Sequence, residues 1–193
     1  MSRDTATVFD HLHQYGVDLR AREIYLQGPV EYADDTIRIG IDHVVRNIRF
    51  LDKTQGDIYL FIQTDGGSVE EAVGLYDMIQ QCTNDVTGVV FGECCSAGIY
   101  PLIACDHRYA TKEAALMFHQ NYTGIGDHLQ HYDAQSRAAY EKVSFDRCCK
   151  LIGSRTGKDS AWWKRRMKEG EIWMHAPEMI EHGLISELWN GEG

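Results

Sequence analysis

The chain has 193 residues, of which 44% are hydrophobic and 25% charged, so it can build a folded core. Its 19 basic and 29 acidic residues leave a net charge of −10, which argues against nucleic acid or an anionic membrane as a partner. No apolar run approaches the length of a membrane span, and residues 1–6 lack an apolar signal core, so a cytoplasmic protein is expected.

The hydrophobic pattern alternates between strand and helix periods along the chain. Residues 1–20 are weakly patterned, with no more than one amphipathic turn. Apolar residues recur every three or four positions from Ile37 to Leu51, which predicts a helix over about 35–51. Ser68 and Glu71 form a capping-box pattern for a helix over 69–81.

The remaining elements continue this alternation. Strands are predicted at 23–27, 57–62, 86–91, 107–111, 115–120, 171–174 and 184–188. Further helices are predicted to begin near Ser96 and near Ser160, and to cover about 128–153, ended by Gly153, and 176–182. Strands that alternate with helices predict an α/β fold with parallel strands.

Six cysteines are present, and two pairs of them are adjacent in sequence, Cys94 with Cys95 and Cys148 with Cys149. Adjacent cysteines rarely bridge, and the spacing of zinc or redox CxxC motifs is missing from the sequence. We therefore expect reduced thiols that pack in the core, and no metal site.

Three features at predicted strand ends suggest nucleophilic catalysis. Ser96 lies between an apolar strand and an apolar helix, where backbone N–H groups and the helix dipole favour an oxyanion. His119 follows 23 residues later at the end of another strand, and the glycine turn at 66–67 closes a third strand. Each feature alone is more typical of a cap, a packed histidine or a turn. The three features together, in this order along alternating strands and helices, favour a serine nucleophile with a histidine base.

These motifs, together with 24–30, 57–62 and 176–185, resemble the ClpP family of self-compartmentalising serine peptidases from about Arg22 to about Leu188. The resemblance implies one peptidase domain over 1–193 with a ClpP/crotonase-like spiral of β-β-α units. It also implies a head, a projecting handle of a strand and a long helix at about 121–153, and an N-terminal segment at 1–20.

The resemblance assigns a catalytic triad residue by residue. Ser96 matches the nucleophile and His119 the general base. The family's acid lies five residues before the alanine of its closing segment, here Ala176, which selects Glu171 where the family usually has aspartate. Glu169 is the nearest competitor.

The resemblance also assigns substrate contacts. Gly67 and Ala97 match the oxyanion donors through their backbone N–H groups, while Val69 and Tyr122 match positions that line the substrate strand. No cofactor is implied.

Three positions depart from the family pattern. Asp65 and Asn121 stand where prolines are usual, and Gly170 replaces an arginine that helps to couple the two rings. The stretch between Ser96 and His119 is also shorter than in the family pattern.

The partners follow from the same resemblance. The family forms seven-membered rings stacked in pairs, a tetradecamer whose chamber cleaves unfolded polypeptides or short peptides delivered by an AAA+ unfoldase. Residues 1–20 do not match the axial-pore segment that engages this ATPase. Within the assembly, Ile37, Ile41 and Ile48 are expected to contribute to packing at the head.

Two alternatives remain open. The chain is a catalytically impaired ClpP-like structural subunit if the departures at Glu171 and Gly170 disable the site. A crotonase-type acyl-CoA enzyme, built on a related fold with backbone oxyanion holes, is the other. The pairing of Ser96 with His119 favours the peptidase.

Overall fold

The structure, a computed structural model, describes residues 3–120 and 131–191. Within these residues the strands are β1 (Val17–Asp18), β2 (Glu23–Gln27), β3 (Ile58–Thr64), β4 (Val86–Cys95), β5 (His107–Ala110), β6 (Ala115–Phe118), β7 (Ile172–His175) and β8 (Glu187–Leu188). The helices are α1 (Arg3–Tyr15), α2 (Ile41–Leu51), α3 (Val69–Ile79), α4 (Ile99–Ala104), α5 (His131–Arg155), α6 (Ser160–Lys168) and α7 (Ala176–Glu181), with a 3₁₀ turn over Ser96–Gly98.

The strands form one sheet in the order β1-β2-β3-β4-β5-β8. Strands β2, β3, β4, β5 and β8 are parallel, and β1 is antiparallel to β2. Strand β4 changes neighbour along its length: Thr87–Val90 pair with β5, whereas Glu93–Cys95 pair with β6. Strand β7 then joins β6 antiparallel. The predicted α/β fold with parallel strands is confirmed.

The two faces of the sheet differ in composition because side chains alternate along each strand. In β3, Ile58, Leu60 and Ile62 are fully buried and share one core with α2, α3 and α4. The opposite face carries half-buried aromatic rings that contact one another. These rings belong to Tyr25, Tyr59, Phe61, Phe91, Tyr109 and Trp189.

Two side-chain caps hold helices, and the one at Ser68 is where the sequence predicted it. Ser68 Oγ accepts the backbone N–H of Glu71 at the start of α3, at 3.3 Å. Asp159 accepts the N–H of Trp162 at the start of α6, at 2.7 Å. These local signals are reliable because the cap and its N–H partner lie within one turn of chain.

The predictions for the first two helices need correction. Helix α1 covers Arg3–Tyr15, where only a single turn was predicted. The sequence pattern missed it because polar residues interrupt its apolar positions, and contacts with the neighbouring β1 support the helix in the folded chain. Helix α2 begins at Ile41 rather than near 35. The Asp34 side chain accepts the N–H groups of Thr36 and Ile37, both at 2.7 Å, and so holds this segment in a turn.

The apolar face of α2 also has a different role from the one predicted. Ile41 and Ile48 are buried in the core of their own chain, and Ile37 lies outside the helix. Ile41 and Ile48 are therefore unavailable for the packing between subunits expected of this helix, whereas the contribution of Ile37 to packing at the head stays a prediction. Phe50, 57% exposed, is a large apolar side chain of α2 that does remain at the surface.

Helix α5 runs to Arg155 and so continues through Gly153, where the sequence predicted its end. Tertiary contacts outweigh the low helix propensity of glycine, since Cys149 and Ile152 are buried and Arg155 donates to the carbonyl oxygens of Ile103 and Cys105. The strand predicted for the handle falls at 121–130, outside the described residues.

All six cysteines are free thiols, as predicted. Of the helices described over 3–120 and 131–191, none has both the length and the apolar character needed to cross a bilayer.

Candidate active site

Ser96 and His119 are brought into contact by the pairing of β4 with β6. The two strands are parallel, and Cys95 lies opposite Met117, so both strands end at the same edge of the sheet. Just beyond these ends, His119 Nε2 lies 2.7 Å from Ser96 Oγ. This distance is that of a nucleophile hydrogen-bonded to its general base.

The backbone at Ser96 is strained. Its φ of 53° lies in the left-handed region, which residues other than glycine rarely adopt. The predicted helix start is a 3₁₀ turn leading into the six-residue α4, so the serine occupies a sharp strand-to-helix turn rather than the N-terminus of a long helix. Strain of this kind, about 1–3 kcal/mol, persists where the surroundings enforce it and is concentrated at functional sites.

The glycine turn at 66–67 packs directly on the serine. Gly66 has a φ of 98°, and a Cβ at this position would lie 2.6 Å from the Cβ of Ser96. The buried Thr64 hydroxyl accepts the N–H of Gly66 at 3.0 Å and so holds the turn. Only glycine fits here, because any side chain would collide with the serine.

Gly67 lines the same cavity as Ser96, and Ala97 directly follows the serine in the chain. Val30 donates to the carbonyl of Gly66 at 2.8 Å and accepts the N–H of Ser68 at 3.0 Å. In a parallel bridge of this kind, the N–H of the residue between them, Gly67, points away from Val30. Ala97 directly follows the serine, and its nitrogen lies 3.2 Å from the Cβ position of Gly66.

Glu171 directly precedes β7, which pairs antiparallel with the strand that ends just before His119. The last pair of this ladder is Phe118 with Ile172, so the register extended by one residue would set Glu171 across from His119. The hydrogen bond of its carboxylate goes to the Trp173 indole Nε1–H, at 3.3 Å. Glu169, the competing acid, is paired with Arg166, at 2.7 Å.

The two cysteines before the serine are unsuited to act as nucleophiles. Burial raises the pKa of the Cys95 thiol to about 11, helped by the negative charges of Glu93, Asp65 and Glu171. Burial also raises the pKa of Cys94 well above its usual value. Both sulfurs are therefore protonated near neutral pH, and the thiolate is the reactive form.

A cavity of about 190 Å³ opens beside Ser96 and His119. Val69 lines it, whereas Tyr122 lies outside the described residues. Helix α5 supplies three lining residues that the sequence did not suggest, Arg137, Glu141 and Ser144. Their spacing puts them on one helix face, but the sequence contains no signal for what that face meets.

A serine at a strained turn of an α/β sheet, hydrogen-bonded to a histidine, is the arrangement found in the active sites of serine hydrolases. Comparison with known proteins identifies the family. The Clp protease family matches residues 9–192. The chain belongs to the Clp protease family, which confirms the predicted family and the predicted enzyme class, a protease of the Clp type.

The relatives share most of their length with this chain. The ATP-dependent Clp protease proteolytic subunit of Streptococcus sanguinis (strain SK36) is 30% identical over 174 residues, covering 88% of this chain and 85% of the relative. The same subunit of Streptococcus equi subsp. equi (strain 4047) is 31% identical over 176 residues, with the same coverage. The ATP-dependent Clp protease proteolytic subunit 2 of Tropheryma whipplei (strain Twist) is 28% identical over 194 residues, covering 97% and 98%.

Proposed function

We propose that this chain is an active serine endopeptidase that cleaves unfolded polypeptides or short peptides. The observation that carries the proposal is the 2.7 Å contact between His119 Nε2 and Ser96 Oγ, made at a strained turn beside the 66–67 loop. A structural subunit without activity has no need of this strain, which costs stability.

The chemistry proceeds through an acyl-enzyme. Ser96 Oγ attacks the scissile carbonyl carbon while His119 Nε2 takes the hydroxyl proton. The oxyanion accepts hydrogen bonds from the N–H groups of Gly67 and Ala97. The histidine then gives the proton to the leaving amine, and the C–N bond breaks. Water repeats the sequence on the acyl-enzyme, which releases the acid product and restores the serine.

Glu171 is the third member of the triad in this proposal. The β6–β7 register, extended by one residue, would set it across from His119, and a turn of the carboxylate from the Trp173 indole to the second imidazole nitrogen would stabilise the imidazolium. Glutamate is longer than the usual aspartate by one bond, roughly 1.5 Å, which shifts the carboxylate relative to the imidazole. Val69, and Tyr122 by family resemblance, line the path of the substrate strand.

A fluorophosphonate probe tests this function directly. Ser96 is expected to be labelled in the folded protein, because the probe reacts with a serine activated by a base and an oxyanion hole. Peptide mapping by mass spectrometry locates the label. The His119→Ala variant should label at least a hundredfold more slowly, in line with the usual contribution of a general base. A folded protein that leaves the probe unreacted would instead support the structural-subunit alternative.

The proposed protein is cytoplasmic and consists of one domain over 1–193. Seven copies form a ring, and the rings stack in pairs. The relatives are named proteolytic subunits of an ATP-dependent protease, which supports assembly into a larger complex and a partner that uses ATP, proposed here to be an AAA+ unfoldase. Exposed apolar residues on α5, Tyr140 at 50% and Val143 at 66%, suit contacts between copies. The aromatic face of the sheet suits a protein partner.

The contact between rings is expected to differ from that of the family. Gly170 has a φ of 136°, which is strained for residues with a side chain, so the backbone here disfavours the usual arginine. The ring contact therefore lacks that guanidinium.

Native mass measurement checks the assembly. A species of fourteen times 22.0 kDa is expected, and one of seven times 22.0 kDa would show that the missing arginine weakens the stacking of rings. A species of one or two times 22.0 kDa at micromolar concentration would contradict the chamber.

A further inference from the structure

The wall that α5 contributes to the catalytic cavity is charged. Arg137 Nε donates to Glu141 Oε1 at 2.8 Å, and Ser144 lies one turn further along the same face. From α3, Glu70 adds a second carboxylate to the lining. Of the lining residues that the structure describes, only Val69 has an aliphatic side chain. The cavity next to Ser96 is thus built for a polar group.

The two partners of this ion pair are buried to different extents. The Glu141 side chain is only 16% exposed, whereas that of Arg137 is 50% exposed. In the same position the guanidinium lies 5.7 Å from the centre of the Tyr140 ring, a contact that does not depend on Glu141. Half of the Arg137 side chain is already in solvent, so it can move away from the carboxylate, whereas Glu141 is largely covered and is stabilised by a cation beside it.

The charges of the lining define which substrate side chain fits. Among the lining residues that the structure describes, the carboxylates of Glu70 and Glu141 outnumber the one guanidinium, that of Arg137. An apolar side chain would cover Glu141 and give it no partner, and an acidic one would add a third carboxylate. A lysine or arginine side chain would replace the displaced guanidinium.

We infer that Glu141 selects substrates with lysine or arginine on the acyl side of the scissile bond, with Arg137 occupying the carboxylate until substrate enters. This inference rests on the proposed peptidase function and names its substrate preference. Arg137 and Glu141 act here as residues that determine specificity, and Ser96 and His119 carry the chemistry.

Matched fluorogenic peptides that differ in one residue test the inference. We expect kcat/KM to be higher for the lysine peptide than for the leucine peptide in the parent protein. Glu141→Gln should lower this lysine-to-leucine ratio by about tenfold, the effect of one charge-assisted hydrogen bond. Arg137→Gln should raise the ratio, because it frees Glu141 for the substrate. Opposite changes distinguish selection from a structural role, since both variants break the same ion pair.

Two controls make the result decisive. Glu113→Gln removes an exposed carboxylate paired with Lys112 at 3.7 Å, outside the cavity lining, and should leave the ratio unchanged. Fluorophosphonate labelling of Ser96 in each variant separates the two proposals. A protein that is not labelled contradicts the peptidase function itself. A labelled protein that prefers leucine, or in which both variants shift the ratio alike, overturns the selection by Glu141.

Discussion

Replacing Ser96 by alanine is expected to lower kcat for a fluorogenic peptide by about 10⁶-fold, as for other catalytic serines. The variant loses the attacking oxygen, and its neighbour cannot take over because the pKa of Cys95 is about 11. Folding should be preserved, since alanine is smaller and the Gly66 turn already packs against the Cβ. Peptide kinetics and native mass together test both statements.

The matched control is Ser154→Ala, which removes a serine hydroxyl bonded to the carbonyl of Leu151 on α5, outside the cavity lining. Its activity should stay within a few-fold of the parent. Cleavage by the Ser96→Ala variant at the parent rate would show that another residue is the nucleophile.

Changing Glu171 to glutamine is expected to lower kcat by two or more orders of magnitude. The size of the side chain is kept, but the charge that stabilises the imidazolium is lost, and a comparable aspartate-to-asparagine change costs about 10⁴-fold in a triad. Peptide kinetics under saturating substrate measure the effect. Ser96 labelling with the same variant shows whether the loss arises in the first, acylating step.

Two further variants test the position of the acid. Glu169→Gln should have little effect, because its carboxylate is paired with Arg166. Trp173→Phe removes the indole N–H that holds the Glu171 carboxylate and should preserve or raise activity. A fully active Glu171→Gln variant would contradict the role of this residue and make Glu169 the next candidate.

Several parts of the fold follow from local sequence. The caps at Ser68 and Asp159 each act within one turn, and the alternation in β3 separates Leu60 and Ile62 from Phe61 without reference to the rest of the chain. The start of α2 was harder to predict, because the helical apolar pattern continues N-terminally to Ile37, whereas the turn at Asp34 and the chain up to Gly40 lie outside the helix. Local hydrogen bonding outweighed periodicity there.

The order of the catalytic motifs could also be predicted from the sequence, but their spatial arrangement could not. Ser96 and His119 meet because β4 leaves β5 for β6, and Glu171 comes to the same edge of the sheet because β7 begins beside the end of the antiparallel β6. Neither strand pairing has a signature within the strands themselves. Pairing partners far apart in sequence are chosen by the packing of the whole sheet.

The sequence by itself therefore determined the α/β class, the helix caps and the residue types available for catalysis, since each depends on neighbours along the chain. The tertiary structure alone decided the left-handed backbone of Ser96, enforced by its packing against Gly66, and the charged cavity wall formed by Arg137 and Glu141. These features require segments distant in sequence to press against each other, and only the folded core supplies the energy that holds them there.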